Sequence, residues 1–260
     1  MNYSALSGGK RLRPIMVMES AELFGLSFKK VMPTACGIEM IHTYSLIHDD
    51  LPVMDNDDLR RGKPTCHKIY GDAIALLAGD ALLTHAFATI AKNCKIEGIS
   101  KETVLDVIEE VSLAAGNEGM IGGQTIDMIS AGNQIDKNTL LYISSHKTGC
   151  LISVSLWSGA RLAGASKEDL ETIKSFGQKI GLIFQIVDDI LDIKCDENIL
   201  GKNKGSDLKN KKNTFPYLLG YDNSIKLVKE LSIEAKNLVS KYKNNDFFIQ
   251  LTDFISKRDY

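Results

Sequence analysis

Two clusters of aspartate in the sequence could bind a divalent cation and, through it, a phosphate group. The first runs from Asp49 to Asp58 and holds five carboxylates within ten positions. These carboxylates repel one another, and Asp49 and Asp50 fall near the predicted C-terminal end of a helix, where the helix dipole disfavours negative charge. A solvated acidic loop would explain such a run taken alone. A bound cation would relieve both conflicts, and the rest of the sequence favours this second interpretation.

The second cluster lies in the segment from Gln185 to Asp207. Asp188 and Asp192 are four residues apart, so they share one face of a helix, with Asp189 beside them. The preceding residues 180–187 are strongly apolar, so these carboxylates emerge from a largely buried helix, where an unpaired charge would be costly. A structural network of salt bridges is the alternative. Two aspartate-rich helix ends in one chain, each followed by basic residues, make a metal site the better interpretation.

The ligand types indicate which metal the clusters would hold. Carboxylate oxygens favour Mg²⁺ over zinc or iron, and carboxylate-bound Mg²⁺ usually keeps several waters and completes its shell with substrate phosphates. Basic residues suited to phosphate follow both clusters, and a third basic group lies in the segment GGKRLRP: Arg60 and Arg61, Lys202 and Lys212, and Lys10, Arg11 and Arg13. Any one of them could be an ordinary surface charge. Together they predict two anion sites, one bridged by metal and one lined by Arg and Lys alone.

The elements that position these residues are predicted to be helices. Apolar residues recur at three- and four-residue spacing along most of the chain, and no stretch shows the alternation of a strand. Pro14 suits the first turn of the first helix, and Asp72 is expected to cap the third. The predicted helices are Pro14–Phe24, Val31–His48, Ala73–Ala91, Thr103–Ala115, Asn138–Ala163, Lys167–Ile193, Ser224–Tyr242 and Phe247–Ile255. No linker rich in Pro, Gly or Ser divides the chain, so we expect residues 1–260 to form one all-α domain, a large helical bundle.

Composition excludes several classes of protein. The chain has 31 Lys and Arg against 33 Asp and Glu, a net charge of −2, which argues against a nucleic-acid partner. No run approaches the ~18 apolar residues of a membrane span, and the start MNYSALSGGKRLRP has no apolar signal core. Five scattered cysteines without a CxxC pair make a disulfide framework or a structural zinc site unexpected. These features predict a cytoplasmic protein without membrane insertion.

The motifs, taken in order, resemble those of the trans-prenyltransferases, the head-to-tail polyprenyl diphosphate synthases, and are most similar to the bacterial farnesyl diphosphate synthases. They are GGKRLRP, EMIHTYSLIHDDLPVMDNDDLRRGKPTCH, the pair Lys147 and Thr148, QIVDDILD, GKNKGSD and KKNTFP. The resemblance runs from Met1 to the C-terminus. It implies the all-α isoprenoid synthase fold, with two aspartate motifs facing each other across a deep central cavity, and a homodimer. Family chains normally have a further helix before GGKRLRP, so this chain is expected to lack the usual N-terminal helix.

The resemblance also implies which residues do the chemistry. It assigns metal binding, with two or three Mg²⁺ ions per site, to Asp49, Asp50, Asp55, Asp188, Asp189 and Asp192. It assigns the allylic diphosphate to Arg60, Lys147, Thr148, Gln185, Lys202 and Lys212. It assigns isopentenyl diphosphate to Gly9, Lys10, Arg13, His42 and Arg61. The residues it implies for catalysis are Asp49, Asp55, Asp188, Lys147 and Lys202.

The reaction implied is the Mg²⁺-dependent condensation of isopentenyl diphosphate with dimethylallyl or geranyl diphosphate, which releases diphosphate. Tyr44 lies five residues before Asp49, about 7.5 Å along a helix axis, and its ring could form a floor beneath the growing chain. In the family an aromatic residue at this position accompanies short products, so we expect the C15 product, farnesyl diphosphate. Ser45, the small neighbour of Tyr44, is a second candidate for control of product length.

Four other functions remain open on the sequence. A geranylgeranyl diphosphate synthase, with a C20 product, shares nearly every motif. A non-catalytic regulatory subunit of a prenyl synthase is expected to lose one aspartate motif, and this chain keeps both. A His-Asp phosphohydrolase site built on His42, His48 and Asp49 would leave Asp188 unexplained. A terpene cyclase would need a different second metal motif.

Overall fold

The computed structural model describes residues 1–199 and 213–258, with side chains for all of them except residues 193–199. The fold is all-α, which confirms the predicted fold class. The longer helices are α2 Leu12–Leu23, α3 Phe28–Asp49, α5 Asp72–Ile90, α6 Lys101–Ala115, α7 Met120–Ser130, α9 Cys150–Leu162, α10 Lys167–Ile199, α12 Tyr221–Val239 and α13 Asp246–Ser256. Short helices are α1 Asn2–Ala5, α4 Cys66–Tyr70, α8 Lys137–Ile143 and α11 Phe215–Leu219, with a 3₁₀ segment at Ala91–Lys95.

One small hairpin interrupts the helices. Strands β1 Leu59–Arg60 and β2 Lys63–Pro64 pair antiparallel, with Leu59 opposite Pro64. The sequence analysis predicted no strand, so the hairpin is a difference from expectation. It is too short to show any alternation of apolar and polar residues.

The chain divides into two compact units. The first comprises Met1–Val111 and Ser158–Ala165, and the second comprises Ser112–Trp157 and Ser166–Tyr260. The predictions of a single domain and of a central cavity stay predictions.

In the first unit α3 is the central helix and packs against α2 and α5. Gly37 of α3 permits the close approach to α5, because a Cβ atom there would lie 2.5 Å from Ile90 Cγ1 and 2.9 Å from the Ala86 carbonyl oxygen. Buried Asn93 anchors the N-terminal part of α3: its Oδ1 accepts hydrogen bonds from the Thr34 amide (3.0 Å) and hydroxyl (2.8 Å). These contacts fix the orientation of α3 and therefore the position of the residues at its C-terminal end.

In the second unit α10 is the central helix. Its Phe176 ring contacts Phe248 of α13 edge to face, with ring centroids 5.5 Å apart. Gly181 allows α10 to approach Gly149, because a Cβ atom on Gly181 would lie 2.5 Å from the Gly149 Cα atom. The residues 144–149 between α8 and α9 form a π-helical segment.

Most predicted helices are confirmed, and the structure differs from the predictions at three places. Helix α7 was missed, because adjacent glycines in its MIGGQTIDMIS sequence lower helix propensity. The predicted helix over residues 138–163 is present but contains the π segment. Asp72 is the first residue of α5, not its cap, since Gly71 precedes the helix with φ +83° and no side chain caps it.

The segment Asp72–Lys95 is apolar enough to cross a membrane by length and composition. The sequence analysis had found no such run, because it counted only uninterrupted apolar residues. A core helix of a globular protein passes the same test, so this single helix is weak support for a membrane span.

Candidate active site

The loop after α3 brings Asp49 and Asp55 together. The Asp55 amide donates a hydrogen bond to the Asp49 carbonyl oxygen (2.9 Å). Asn56, with φ +53°, turns the chain, and its amide donates to the Leu51 carbonyl oxygen (3.1 Å). Two of the predicted metal ligands therefore lie side by side at the end of α3, with the Asp55 side chain exposed.

Asp50 points away from solvent and holds Arg60. Its side chain is buried, and Oδ1 accepts hydrogen bonds from Arg60 Nε (2.8 Å) and from Arg60 Nη2. Arg60 Nη2 also donates to Asp57 (3.0 Å). Burial raises the pKa of the Asp50 carboxyl, and the Arg60 guanidinium opposes part of that rise. The pair places a fixed guanidinium beside Asp49.

A basic group surrounds His42 on α3. Burial and the charges of Arg13, Arg61, Arg11 and Arg60 lower the pKa of His42 well below 6.5, so its imidazole is neutral. Such a concentration of positive charge indicates a site for an anion.

The segment around GGKRLRP supplies part of this basic group. Arg61 Nη1 donates to the Gly8 carbonyl oxygen, and a Cβ atom on Gly9 would collide with the Arg61 guanidinium, which explains the glycine. Arg11 pairs with Glu39 of α3 and donates to the Ala5 carbonyl oxygen (2.7 Å). Lys10 is exposed.

Arg13 is a half-buried member of the basic group. Burial lowers the pKa of Arg13 to about 10, with a further lowering by Arg61 and an opposing effect of Glu39. Its Nε is buried and has no hydrogen-bond partner within the part of the chain that the structure describes. A guanidinium with a buried N–H that lacks a partner is stabilised by a counter-charge, and a bound anion would provide one.

In the second unit, three predicted residues form one hydrogen-bonded network. Thr148 Oγ1 donates to Gln185 Oε1 (3.0 Å), and Gln185 Nε2 donates to Asp189 Oδ1 (2.9 Å). Buried Asp189 also accepts the Phe215 amide on Oδ2 (2.9 Å). Asp189 thereby links α10 to α11 and orients Gln185 and Thr148.

Asp188 and Asp192 lie one turn apart on α10; Asp188 is half-buried and Asp192 is exposed. Arg258, just after α13, forms an ion pair with Asp188 and lies over the Phe184 ring, with its Cζ 4.6 Å from the ring centroid. A predicted metal ligand is therefore paired with a protein cation in this structure.

Lys147 has a partner that the sequence analysis missed. Its Nζ donates to Asp127 Oδ2 of α7 (2.6 Å). The signal in the sequence was GGQTID, a glycine pair followed by an amide and a carboxylate, in a segment not recognised as a helix.

Tyr44 is buried on α3, with its ring edge to face against His48 at 5.6 Å between centroids. Burial and the nearby Asp49 carboxylate raise the pKa of Tyr44 to about 12. Its hydroxyl has no hydrogen-bond partner among residues 1–199 and 213–258. Ser45 donates to the His42 carbonyl oxygen (2.9 Å). Lys202 and Lys212 lie outside the described residues.

The carboxylates fit a metal that takes part of its shell from elsewhere. In the described ranges, no group of three His, Cys, Asp or Glu side chains is arranged to hold a metal by itself. Asp49 and Asp55 in one unit, and Asp188 and Asp192 in the other, are partial sets of oxygen ligands. Mg²⁺ suits partial sets, because it commonly keeps waters and binds substrate phosphates.

Comparison with known proteins gives a consistent assignment. The polyprenyl synthetase family profile matches residues 1–245. The farnesyl diphosphate synthase of Bacillus subtilis (strain 168) is 46% identical over 261 residues, which cover 100% of this chain and 88% of that protein. A geranylgeranyl diphosphate synthase of Cyanophora paradoxa is 46% identical over 261 residues, covering 100% of this chain and 86% of that protein. The apo crystal structure of an FPP/GFPP synthase from Zymomonas mobilis superposes with a TM-score of 0.87 at 36% identity, covering 97% of this chain and 86% of that one.

Proposed function

Because the chain belongs to the polyprenyl synthetase family and is a prenyltransferase, we propose that it joins isopentenyl diphosphate head to tail to an allylic diphosphate and that its product is farnesyl diphosphate. The observation that carries the proposal is the basic group around neutral His42, next to the carboxylates at the end of α3. Two diphosphate substrates require two neighbouring anion sites. One site binds its diphosphate through metal, and the other binds its diphosphate through basic side chains alone. Family membership also excludes the phosphohydrolase interpretation.

Four carboxylates are proposed to hold Mg²⁺: Asp49, Asp55, Asp188 and Asp192. When bound, two or three Mg²⁺ ions supply Lewis-acid stabilisation of the diphosphate leaving group. Asp50 and Asp189 remain in the proposed site, but their described contacts favour a supporting role. Asp50 fixes Arg60, and Asp189 fixes Gln185.

The allylic diphosphate is proposed to bind the cationic and polar residues Arg60, Lys147, Thr148, Gln185, Lys202 and Lys212. The bond between the allylic carbon and the diphosphate oxygen breaks, and its electron pair leaves with the diphosphate. Prearranged N–H donors stabilise the charge that develops on the leaving oxygen, which is the largest contribution that side chains can make to such a step. Arg60 is already fixed for this task by its two bonds to Asp50.

Isopentenyl diphosphate is proposed to bind Gly9, Lys10, Arg13, His42 and Arg61. The terminal alkene carbon attacks the allylic cation and forms the new carbon–carbon bond. A proton is then lost, and the departing diphosphate accepts it. Neutral His42 can donate a hydrogen bond to a phosphate oxygen without adding to the repulsion among the arginines.

The second candidate product is C20 geranylgeranyl diphosphate, because relatives with either name are equally similar to this chain. The buried Tyr44 ring supports the shorter product. Chromatography of dephosphorylated products distinguishes C15 from C20 directly.

We also propose a homodimer in the cytoplasm. The outer face of α5 exposes large apolar side chains, with Leu77 60% and Ile74 54% accessible. A second copy covering this face would remove that surface from water.

The experiment that tests the proposed reaction is diphosphate release from geranyl plus isopentenyl diphosphate, with and without Mg²⁺. Asp49→Ala and Asp188→Ala should each reduce turnover by at least about a hundredfold. Asp246→Ala, on α13 outside the site, is the matched control and should keep wild-type turnover. Mg²⁺-independent release, or near-normal turnover of both variants, would overturn the proposal, and a complete lack of turnover by the wild type would favour a regulatory subunit.

A further inference from the structure

Lys147 lies in a part of the backbone whose geometry is unusual. Residues 144–149 form a π-helical segment between α8 and α9. Such segments insert an extra residue into a helix and are frequent at functional sites, because they shift side chains out of α-helical register. The shifted residues here include Lys147 and Thr148, both assigned to the allylic diphosphate in the proposed function.

Helix α7 packs against this segment through a glycine. A Cβ atom on Gly123 would collide with the Lys147 amide nitrogen and would lie 2.8 Å from the Lys147 Cα atom. Any larger residue would therefore push α7 away from the backbone of Lys147. This contact fixes the distance between the two elements.

One turn further along α7 is Asp127, four residues after Gly123 and so on the same face of the helix. Its Oδ2 accepts a hydrogen bond from Lys147 Nζ at 2.6 Å. We propose that Asp127 is a positioning residue: it holds the ammonium group of Lys147 where the allylic diphosphate is bound. The proposal rests on the proposed function, in which Lys147 binds that diphosphate.

The chemistry of the ammonium group supports this role. Lysine carries three N–H donors on a flexible four-carbon chain. Asp127 engages one donor and restricts the chain, which leaves two donors for phosphate oxygens. Thr148, the next residue, donates a hydrogen bond to Gln185 of α10 (3.0 Å). The two neighbouring substrate ligands are thus held by two different helices.

The direction in which substrate affinity changes when Asp127 is replaced distinguishes a positioning role from a purely electrostatic one. A carboxylate near a diphosphate repels it, so loss of the Asp127 charge would tighten substrate binding if charge alone mattered. Both side chains are partly exposed, and ion pairs in such positions contribute little through charge. Loss of an oriented side chain should therefore dominate and weaken binding.

The test compares Asp127→Asn, Asp127→Glu, Lys147→Gln and the double variant Asp127→Asn/Lys147→Gln. Asp127→Asn should raise KM for geranyl diphosphate about threefold to tenfold, the loss expected when one immobilised side chain becomes free. KM for isopentenyl diphosphate should change less than twofold. Asp127→Glu should rescue part of the loss. Once Lys147→Gln is present, Asp127→Asn should add no further effect, because its action depends on the ammonium group.

Isothermal titration calorimetry measures how tightly each variant binds inorganic diphosphate in the presence of Mg²⁺, and this readout does not depend on turnover. The affinities of the variants for diphosphate should follow the same order as their KM values for geranyl diphosphate. Glu234→Gln is the matched control, since it removes the partner of Lys179 in another ion pair of the same unit (2.5 Å). A tighter or unchanged KM for geranyl diphosphate in Asp127→Asn, or full additivity with Lys147→Gln, would overturn the inference. If Lys147→Gln itself has no effect, the proposed role of Lys147 fails instead. If Asp127→Asn does not fold, Asp127→Ala takes its place with the same expected result, and an unchanged KM for geranyl diphosphate in Asp127→Ala would refute positioning.

Discussion

Consecutive aspartates in this protein have opposite environments. Asp50 and Asp189 are buried and bonded to protein groups, whereas Asp49 and Asp188 are more accessible. Successive residues of a helix point about 100° apart, so one member of each pair faces outward and the next faces inward. Each pair of consecutive aspartates therefore supplies one candidate metal ligand and one buried residue that orients neighbouring side chains.

At the residue scale, His42 makes the stability of the protein depend on pH. Burial and the surrounding arginines lower its pKa, so the unfolded chain binds a proton near pH 6.5 that the folded protein does not. The stability that neutral His42 contributes is fully present above pH 6.5. This stability is lost as the pH falls from 6.5 through the lower pKa that His42 has in the folded protein. Urea unfolding at pH 7.5 and pH 5.5 should show a smaller loss of stability on acidification in His42→Gln than in the wild type. The exposed His85→Gln is the control and should keep the wild-type loss; equal pH dependence of all three proteins would contradict the expectation.

Tyr44 allows a prediction about product length. Tyr44→Ala removes a buried ring whose hydroxyl has no partner in the described ranges, so the change opens space without leaving a polar group unpaired. The expected result is a shift from C15 toward C20 or longer products, measured by chromatography after dephosphorylation. Tyr44→Phe keeps the ring and should keep the product. An unchanged C15 profile in Tyr44→Ala would show that the ring is not the floor.

At the element scale, the segment that follows α13 contacts the C-terminal half of α10. Arg258 pairs with Asp188, a residue 70 positions earlier in the chain. The same carboxylate cannot accept a guanidinium and a divalent cation without repulsion between the two cations. The contact therefore gives Asp188 a counter-charge when no metal is bound.

This contact predicts that Arg258→Gln binds divalent metal more tightly. Two like unit charges at ion-pair distance repel by about 1 kcal/mol even in bulk water, so the dissociation constant should fall by at least about fivefold. Mn²⁺ binding without substrate, followed by electron paramagnetic resonance, measures the effect. Lys257→Gln is the matched control, because Lys257 pairs with Asp253 instead (2.9 Å). Weaker Mn²⁺ binding in Arg258→Gln would mean that Arg258 orients Asp188 for the metal.

Helix α7 shows how an element can serve a site without contributing a recognised motif. The π segment is approached by Gly123 from α7 and by Gly181 from α10. Local sequence could not reveal this arrangement, because a glycine required for close packing looks the same as a glycine that weakens a helix.

At the scale of the whole molecule, the apolar face of α5 predicts the oligomeric state. A glutamate at Leu77 would place a charge in an interface, so Leu77→Glu should shift the protein from dimer toward monomer in sedimentation velocity. Ile233→Glu, at a 62% exposed position of α12, is the control and should leave the mass unchanged. A wild-type protein that sediments as a monomer, or a Leu77→Glu variant that stays dimeric, would contradict the proposed interface.

The sequence by itself determined the family and the fold class of this protein. Apolar spacing is a local property, so it predicted most helices, and the order of the motifs indicated the family, both of which are confirmed. Residues close in sequence, such as Asp49 with Asp55 and Asp188 with Asp192, could be grouped for the same reason. Their individual roles as ligands stay predictions.

Only the tertiary structure decided which side chains support these residues. Asp127 lies 20 positions from Lys147, and Arg258 lies 70 from Asp188. No local pattern encodes such pairs, because they depend on how whole helices pack against each other and on which face each helix buries. Folding likewise buries Asp50 but leaves Asp49 more accessible, and burial lowers the pKa of His42. Desolvation and the charges of distant residues arise only once the chain is folded.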